Sequence, residues 1–195
     1  MQGFDITGSG DIGIAVRAGH SEIEIVGGKI VNENNLFAEN PTPFIGVHLE
    51  QGSKAIVRYV ETQGFSDEGF RFECPVDVKG LTSSYDCKGI HFSETSTARD
   101  CMVLWTRRVH GDGFAYEFKK DGELNNCGCN LDETSGLGVI VGYAGSTITI
   151  NGGDYKALAP LPFVYARGAS TFILNNVTVN LSLIHISEPT RPRSI

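Results

Sequence analysis

A four-residue motif that recurs seven times along the chain limits the fold more than any other feature. Each copy begins with glycine, or with proline in the last copy, and continues with an apolar residue, a variable residue and a second apolar residue. Successive copies start 33, 23, 20, 24, 25 and 24 residues apart. A unit repeated at this interval is typical of a solenoid, in which each repeat buries its apolar face against its neighbours. The copies start at Gly13, Gly46, Gly69, Gly89, Gly113, Gly138 and Pro162.

A second repeated pattern alternates apolar and polar residues and then ends at glycine or asparagine. It starts at Phe4, Ile23, Ile148 and Phe172. Alternation of this kind predicts a short, half-buried strand followed by a tight turn. We therefore predict one all-β domain over residues 1–180. It is a solenoid of about seven coils, with at least two strands in each coil.

The last residues, 181–195, resemble the translated end of a sequencing-library adapter. We therefore expect them to be an artefactual tail that is not part of the fold. The same resemblance indicates a fragment of metagenomic origin that is truncated at its C-terminus. No signal peptide is visible in the first residues of this fragment.

The charge balance limits the kinds of partner. The chain has 16 Lys and Arg residues against 23 Asp and Glu residues, and its net charge is −7. An acidic chain without a cluster of basic residues argues against nucleic acid as the main partner. No apolar run approaches the roughly 20 residues that a membrane-spanning helix needs, so we expect no membrane span.

Asparagine and cysteine recur near the predicted turns. Asparagine pairs such as Asn125-Asn126 and Asn175-Asn176 suit turns that stack from coil to coil, because their side chains hydrogen-bond along the stack. The five cysteines have no metal-site spacing, so we predict buried core positions rather than disulfides or a metal site. Asp86-Cys87, Asp100-Cys101 and Asn126-Cys127 are expected to occupy equivalent positions.

Repeats of about 20 to 25 residues, with asparagine-rich turns and ends such as Gly89-Ile90-His91-Phe92, resemble the right-handed parallel β-helix of the pectate-lyase-like superfamily. The resemblance implies three parallel sheets, an extracellular or cell-surface location and a polysaccharide partner. It also allows Ca²⁺ as a cofactor and, for a phage protein, a homotrimer. The polygalacturonase motifs are absent, since Gly19-His20-Ser21 lacks their second glycine. No catalytic residue is therefore transferred from the superfamily.

The repeat also predicts which side chains share a face. The two apolar positions of the motif should face the core, and the variable position should point outward. The inward rows are then Ile14, Val47, Phe70, Ile90, Phe114, Val139 and Phe163, and Val16, Leu49, Phe72, Phe92, Tyr116, Val141 and Tyr165. The outward row is Ala15, His48, Arg71, His91, Ala115, Ile140 and Val164.

Two neighbouring rows add further charges to this face. One contains Arg17, Glu50, Glu73, Ser93 and Glu117, and the other contains Glu68, Lys88 and Asp112. We expect the later coils to offer almost no titratable side chain there. The candidate catalytic residues are His48, Arg71, His91, Glu68 and Asp112. The candidate substrate-binding residues are Lys88, Glu50, Glu73 and Glu117.

This set of residues suits either of two reactions on a polysaccharide. Elimination from a uronate polymer needs a cation such as Arg71 or Lys88 and a base such as His48 or His91. Hydrolysis needs two carboxyl groups. Glu68 and Asp112 are expected about 9.6 Å apart, two strand spacings, which suits inversion.

The alternative is a non-catalytic adhesin, spacer or phage tail fibre, in which mixed charges only keep an exposed sheet face soluble. The proline- and asparagine-rich segment 33–43 is either a functional loop beside this face or a tolerated insertion. Trp105 and Tyr85 are candidates for stacking on sugars, with core or edge packing as the other interpretation.

Overall fold

A computed structural model describes most of the chain. The described residues are 2–8, 14–33, 45–104, 113–131, 136–158 and 161–181.

These residues form twenty strands, each labelled here in chain order. The strands are β1 (Gln2–Gly8), β2 (Ile14–Ala18), β3 (Glu22–Asn32), β4 (Ile45–Leu49), β5 (Lys54–Gln63), β6 (Glu68–Phe72), β7 (Asp77–Lys79), β8 (Thr82–Ser84), β9 (Lys88–Phe92), β10 (Ser96–Arg99), β11 (Met102–Leu104), β12 (Gly113–Phe118), β13 (Gly122–Asn125), β14 (Gly128–Leu131), β15 (Gly136–Tyr143), β16 (Thr147–Asn151), β17 (Asp154–Ala157), β18 (Val164–Arg167), β19 (Thr171–Asn175) and β20 (Thr178–Leu181).

The strands form two parallel sheets wound into a β-solenoid. The small sheet contains seven strands in the order β18-β15-β12-β9-β6-β4-β2, and each of them carries one copy of the glycine motif. The large sheet contains thirteen strands, and it consists of two faces joined at β5. The first half of β5 pairs with β7 and its second half pairs with β8. The all-β solenoid predicted from the repeat is confirmed.

The solenoid has about five regular turns, fewer than the seven expected from the motif. Five turns, from β6 to β20, have three separate strands each. In the part of the chain before β6, the large sheet has a single long strand, β3 or β5, where each later turn has two short strands. Each long strand bends at the corner that separates the two short strands in the later turns. The bend lies at Gly27 and Tyr59, which have φ of 65° and 57°.

This bend continues along the solenoid as a column of left-handed residues. Gly80, Asp100, Asn126, Gly152 and Asn176 have φ between 52° and 66°. Glycine and asparagine tolerate this conformation best, which explains their recurrence at the turns. Beside the column, Asn151 Nδ2 donates to Asn125 Oδ1 over 2.9 Å, and Asn175 Nδ2 donates to Asn151 Oδ1 over 2.8 Å. The predicted asparagine stack is confirmed.

The core is filled by inward rows of apolar side chains. Phe72, Phe92 and Phe118 stack on one another, with ring centroids 5.7 and 4.7 Å apart. Tyr116 is fully buried, and its hydroxyl lies 2.9 Å from the carbonyl oxygen of Cys101 and 2.7 Å from that of Gly128. All five cysteines are free and buried, as predicted. Cys101 and Cys127 stack, since the Cys101 amide donates to Cys127 Sγ.

Asp86 is fully buried in the interior and lies at a different corner from Asp100 and Asn126. The expected equivalence is therefore wrong for Asp86-Cys87 and correct for Asp100-Cys101 and Asn126-Cys127. Asp86 Oδ2 accepts from Thr62 Oγ1 over 2.8 Å and from Ser83 Oγ over 2.7 Å. Its Oδ1 accepts from the Phe65 amide over 2.7 Å. Burial raises the pKa of Asp86 to about 7, although these hydrogen bonds oppose the rise.

Four of the motif glycines, Gly46, Gly69, Gly89 and Gly138, lie where a side chain would meet a neighbouring atom. A Cβ at Gly69 would lie 2.3 Å from Asp86 Oδ2 and 2.5 Å from Thr62 Oγ1. A Cβ at Gly89 would lie 2.3 Å from the carbonyl oxygen of Ala115. These glycines are therefore required by close approach of neighbouring groups, and no left-handed backbone is involved.

The predicted register is correct in the middle of the small sheet and wrong on both sides of it. Val47, Phe70 and Ile90 align as expected. Val16 pairs with Val47, and Tyr116 pairs with Ile90, so both outer strands are displaced by two residues.

The pairing of β12 with β15 is irregular beside Gly113 and Phe114, and Phe114 pairs with Gly138 instead of Val139. As a result Ile140, expected outside, is fully buried, while Tyr165, expected inside, is exposed.

Two further observations concern the limits of the domain. Strand β20 includes Leu181, one residue beyond the boundary expected from the sequence, and the rest of the tail lies outside the described residues. Within the described part of the chain, no helix has the length and apolarity needed to cross a membrane.

Candidate functional site

The outer face of the small sheet brings a row of charged side chains together. The paired strands β2, β4, β6, β9 and β12 align Arg17, His48, Arg71, His91 and Glu117. The central His48-Arg71-His91 order is the predicted one. The expected end members, Ala15 and Ala115, are replaced by Arg17 and Glu117, because the outer strands are displaced by two residues.

Glu68 is the centre of this cluster. It is only 2% exposed and binds two partners on the same face. Its Oε1 lies 3.0 Å from His91 Nδ1, and its Oε2 accepts a hydrogen bond from Arg71 Nε. Burial alone would raise the pKa of Glu68, but the hydrogen bonds and charges of His91 and Arg71 outweigh it and lower the pKa to about 2. Glu68 is therefore a fixed carboxylate and does not donate protons near neutral pH.

The second nitrogen of His91 faces two oxygens. Nε2 lies 3.2 Å from Ser93 Oγ and 3.6 Å from Glu117 Oε2. The ring edge also packs against Phe114, with centroids 6.3 Å apart. Ser93 appeared in the sequence only as a member of a surface row, and its hydrogen bond to His91 was not predicted.

Asp67 was also missed by the sequence analysis, because it lies outside the motif. Its Oδ2 accepts from Arg71 Nη2 and its Oδ1 accepts from Lys88 Nζ, both over 2.9 Å. Burial lowers the pKa of Lys88, but the Asp67 carboxylate raises it by more, so the pKa of Lys88 is raised overall. Asp67 therefore holds two cations side by side on adjacent strands.

The remaining predicted residues lie along the β2–β6 side of this cluster. His48 Nε2 lies 3.3 Å from Glu73 Oε1, but without hydrogen-bond geometry, so both nitrogens of this buried ring lack a hydrogen-bond partner. Glu50 accepts from Arg17 Nε over 2.8 Å, and this bond lowers the pKa of Glu50. Glu50 is therefore a partly exposed partner of Arg17 at the edge of the cluster.

The later strands carry more on this face than expected. Arg167 Nη1 donates to Tyr143 Oη over 2.6 Å, and its guanidinium lies 5.1 Å from the centre of the Tyr143 ring. Burial and the nearby charge of Glu117 raise the pKa of Tyr143. Tyr165 lies in the same row as Glu117 and is exposed. The face therefore continues from the charged cluster into two tyrosines and an arginine.

Exposure decides which of these groups a bound molecule could contact. His91 and Glu117 are 4% and 5% exposed, and Glu68 is equally buried. Arg71, Lys88 and Asp67 retain about a fifth to a quarter of their side-chain surface. Arg71, Lys88 and Asp67 are therefore the accessible groups of the cluster, and His91, Glu68 and Glu117 lie beneath them.

Three predicted features lie outside the described residues. They are the candidate acid Asp112, the aromatic Trp105 and nearly all of the insertion at 33–43. The described residues contain no cluster of three or more His, Cys, Asp or Glu side chains that could hold a metal ion. Comparison of the chain with protein-family models, with curated proteins and with solved structures finds no match.

Proposed function

We propose that the outer face of the small sheet binds polysaccharide, and that the protein is an extracellular or cell-surface β-solenoid of the pectate-lyase-like kind. The observation that carries this proposal is the concentration of partly exposed cations and carboxylates around Glu68, on adjacent strands of one continuous face. Carbohydrate sites combine charged groups that bind hydroxyls and carboxylates with aromatic rings that pack on sugar faces.

The chemistry of the exposed groups favours an acidic polymer. Arg71 and Lys88 stand on the adjacent strands β6 and β9, with Lys88 opposite Glu68, and both side chains reach Asp67. Both retain exposed surface while they are bonded to Asp67. They offer two adjacent cations to a uronate carboxylate, and the carboxylates of Asp67 and Glu73 accept hydrogen bonds from hydroxyls. Tyr165 supplies an exposed ring farther along the face.

Cleavage of the bound polymer is part of the same proposal. For elimination, Arg71 or Lys88 neutralises the uronate carboxylate, while His48, or His91 acting through Ser93, accepts the proton beside it. For hydrolysis, Glu68 is too acidic to serve as the proton donor, since its pKa is about 2. It suits the role of a carboxylate that stabilises positive charge, with Asp112 as the remaining candidate acid.

A second function, that of a non-catalytic adhesin or tail-fibre spacer, is favoured by one observation. Each predicted cation of the central cluster already has a carboxylate partner: Arg71 has two, and Lys88 has one. A self-compensated network of this kind also suits a surface that only needs to remain soluble and ordered.

Binding to a panel of acidic and neutral polysaccharides separates the two functions. We expect the full chain to be retarded by at least one acidic polymer in affinity electrophoresis, and Arg71→Ala to weaken that binding about tenfold. Lys79→Ala is the matched control, because it removes a half-exposed cation from the large sheet. Cleavage is followed as unsaturated products or new reducing ends. A chain that binds and cleaves no polymer of the panel supports the spacer and overturns the proposal.

A further inference from the structure

We propose that Ser93, His91 and Glu68 form a nucleophilic relay that hydrolyses acyl esters, such as O-acetyl groups on a bound polysaccharide. This inference rests on the proposed function for the identity of its natural substrate. Its chemistry rests on the order Ser93 Oγ, His91 Nε2, His91 Nδ1 and Glu68 Oε1, with successive contacts of 3.2 Å and 3.0 Å. A hydroxyl, an imidazole and a carboxylate in this order are the parts of a nucleophilic hydrolase site.

The protonation of the carboxylate fixes the direction of the relay. Glu68 is ionised near neutral pH, because Arg71 donates to its other oxygen and lowers its pKa, so Glu68 only accepts hydrogen bonds. The proton of a neutral His91 ring therefore lies on Nδ1, between the ring and Glu68. Nε2 is then the acceptor, and the hydroxyl of Ser93 is the donor. A neutral ring in this tautomer is placed to remove the proton of Ser93.

The exposure of the three residues follows the same order. Glu68 and His91 are almost completely buried, whereas Ser93 is partly exposed at the end of β9. A polymer cannot contact the His91 ring directly, because His91 is only 4% exposed. Ser93 is the member of the relay that solvent and substrate reach, so His91 acts on a substrate through Ser93.

The reaction needs only an ester and water. Ser93 Oγ bonds to the ester carbonyl carbon while its proton passes to His91 Nε2. The bond between that carbon and the alcohol oxygen then breaks, and the alcohol leaves with the proton from His91. Water attacks the acyl-serine with His91 again as base. The carboxylic acid is released and the Ser93 hydroxyl is restored.

Two neighbours support the charge that develops in this reaction. Glu117 Oε2 lies 3.6 Å from Nε2 and stabilises the imidazolium that forms when His91 accepts the proton. Arg71 holds the second oxygen of Glu68, so the carboxylate keeps its orientation toward Nδ1. Glu68 and Arg71 are positioning residues, since they act through His91.

The test is covalent labelling of the full chain with a fluorophosphonate, together with hydrolysis of p-nitrophenyl acetate. We expect mass spectrometry of the wild-type protein to locate the label at Ser93. Ser93→Ala should lose both the label and the hydrolysis. His91→Ala and Glu68→Gln should slow both at least about 100-fold. In Glu68→Gln, kcat should fall with little change in KM, and circular dichroism should remain that of the wild type.

Ser21→Ala is the matched control, because the exposed Ser21 hydroxyl donates to the carbonyl oxygen of Gly19. This variant should keep wild-type labelling and hydrolysis. Label at other serines, or none in a folded wild-type protein, overturns the inference. Polysaccharide binding is measured on the same variants. If Ser93→Ala binds polymer normally and the wild type shows no esterase activity, the relay alone is refuted. Esterase activity in a protein that binds no polymer refutes the proposed function alone.

Discussion

Replacement of the buried Asp86 by asparagine should change how the stability of the fold depends on pH. The carboxyl group has a pKa of about 7 in the folded protein, against an ordinary value of 3.8. Below about pH 3.8 the carboxyl group of Asp86 is protonated in both the folded and the unfolded chain. As pH rises from there, the unfolded chain loses its proton first, so the folded state is progressively destabilised until about pH 7.

The size of this effect follows from the two pKa values. A difference between 3.8 and about 7 corresponds to about 4 kcal/mol of folding free energy, taken as an upper bound. Asp86→Asn removes it, because the amide has no charge at any pH. The amide oxygen can still accept from the Phe65 amide, and its nitrogen can donate to the hydroxyl oxygens of Thr62 and Ser83, which rotate freely. The variant therefore keeps its hydrogen bonds.

Urea unfolding of both proteins at pH 4, 6 and 8 measures the effect. Relative to wild type, Asp86→Asn should gain up to about 4 kcal/mol between pH 4 and pH 8, with most of the gain complete by about pH 7. Asp77→Asn is the control, because its exposed carboxylate pairs with Arg99 at the surface of the large sheet. A difference between Asp86→Asn and wild type that is the same at all three pH values would refute the reasoning.

Three further substitutions test the packing and the site. Glu68→Gln should lower the free energy of unfolding by about 3 kcal/mol at pH 7, measured in urea, because the lowered pKa of Glu68 stabilises the fold above about pH 4.5. The difference from wild type should disappear as the pH falls through about 2. Gly69→Ala should destabilise the protein by at least about 1–3 kcal/mol, because the methyl group of the new alanine would clash with the Asp86 carboxylate. Calorimetry should show this as a lower Tm. Asn151→Ala should cost about 1–2 kcal/mol in urea unfolding, because it breaks the asparagine stack on both sides; an unchanged midpoint would contradict a structural role for that stack.

The sequence predicted the central row of the candidate site because the intervals there are regular. His48, Arg71 and His91 lie on strands separated by 23 and 20 residues, and one motif copy follows the next without an insertion. Glu117 was assigned to the wrong row for a physical reason. A displacement of one residue exchanges the two faces of a strand, but a displacement of two keeps every side chain on its face. Alternation therefore cannot detect the two-residue displacement of β12.

The contacts that make the cluster were also beyond the sequence pattern. Asp67 precedes the motif, and its bonds to Arg71 and Lys88 depend on how the chain enters β6. Ser93 follows β9, and its contact with His91 depends on the direction of two side chains. The burial of Asp86 depends on three donors from separate segments. Each of these is a tertiary arrangement that periodicity does not encode.

The long strands at the start of the solenoid have a mechanical consequence. Strand hydrogen bonds run roughly along the solenoid axis, so tension along that axis loads all bonds between two turns at once. Strands β3 and β5 share nine paired residues, whereas β5 shares only three with β7 and three with β8. The pairing of β3 with β5 is interrupted only at Gly27 and Tyr59, so the corner of this interface exposes few unpaired residues. Under load, β5 should therefore separate from β7 and β8 before it separates from β3, which makes the interface after β5 the weaker of the two.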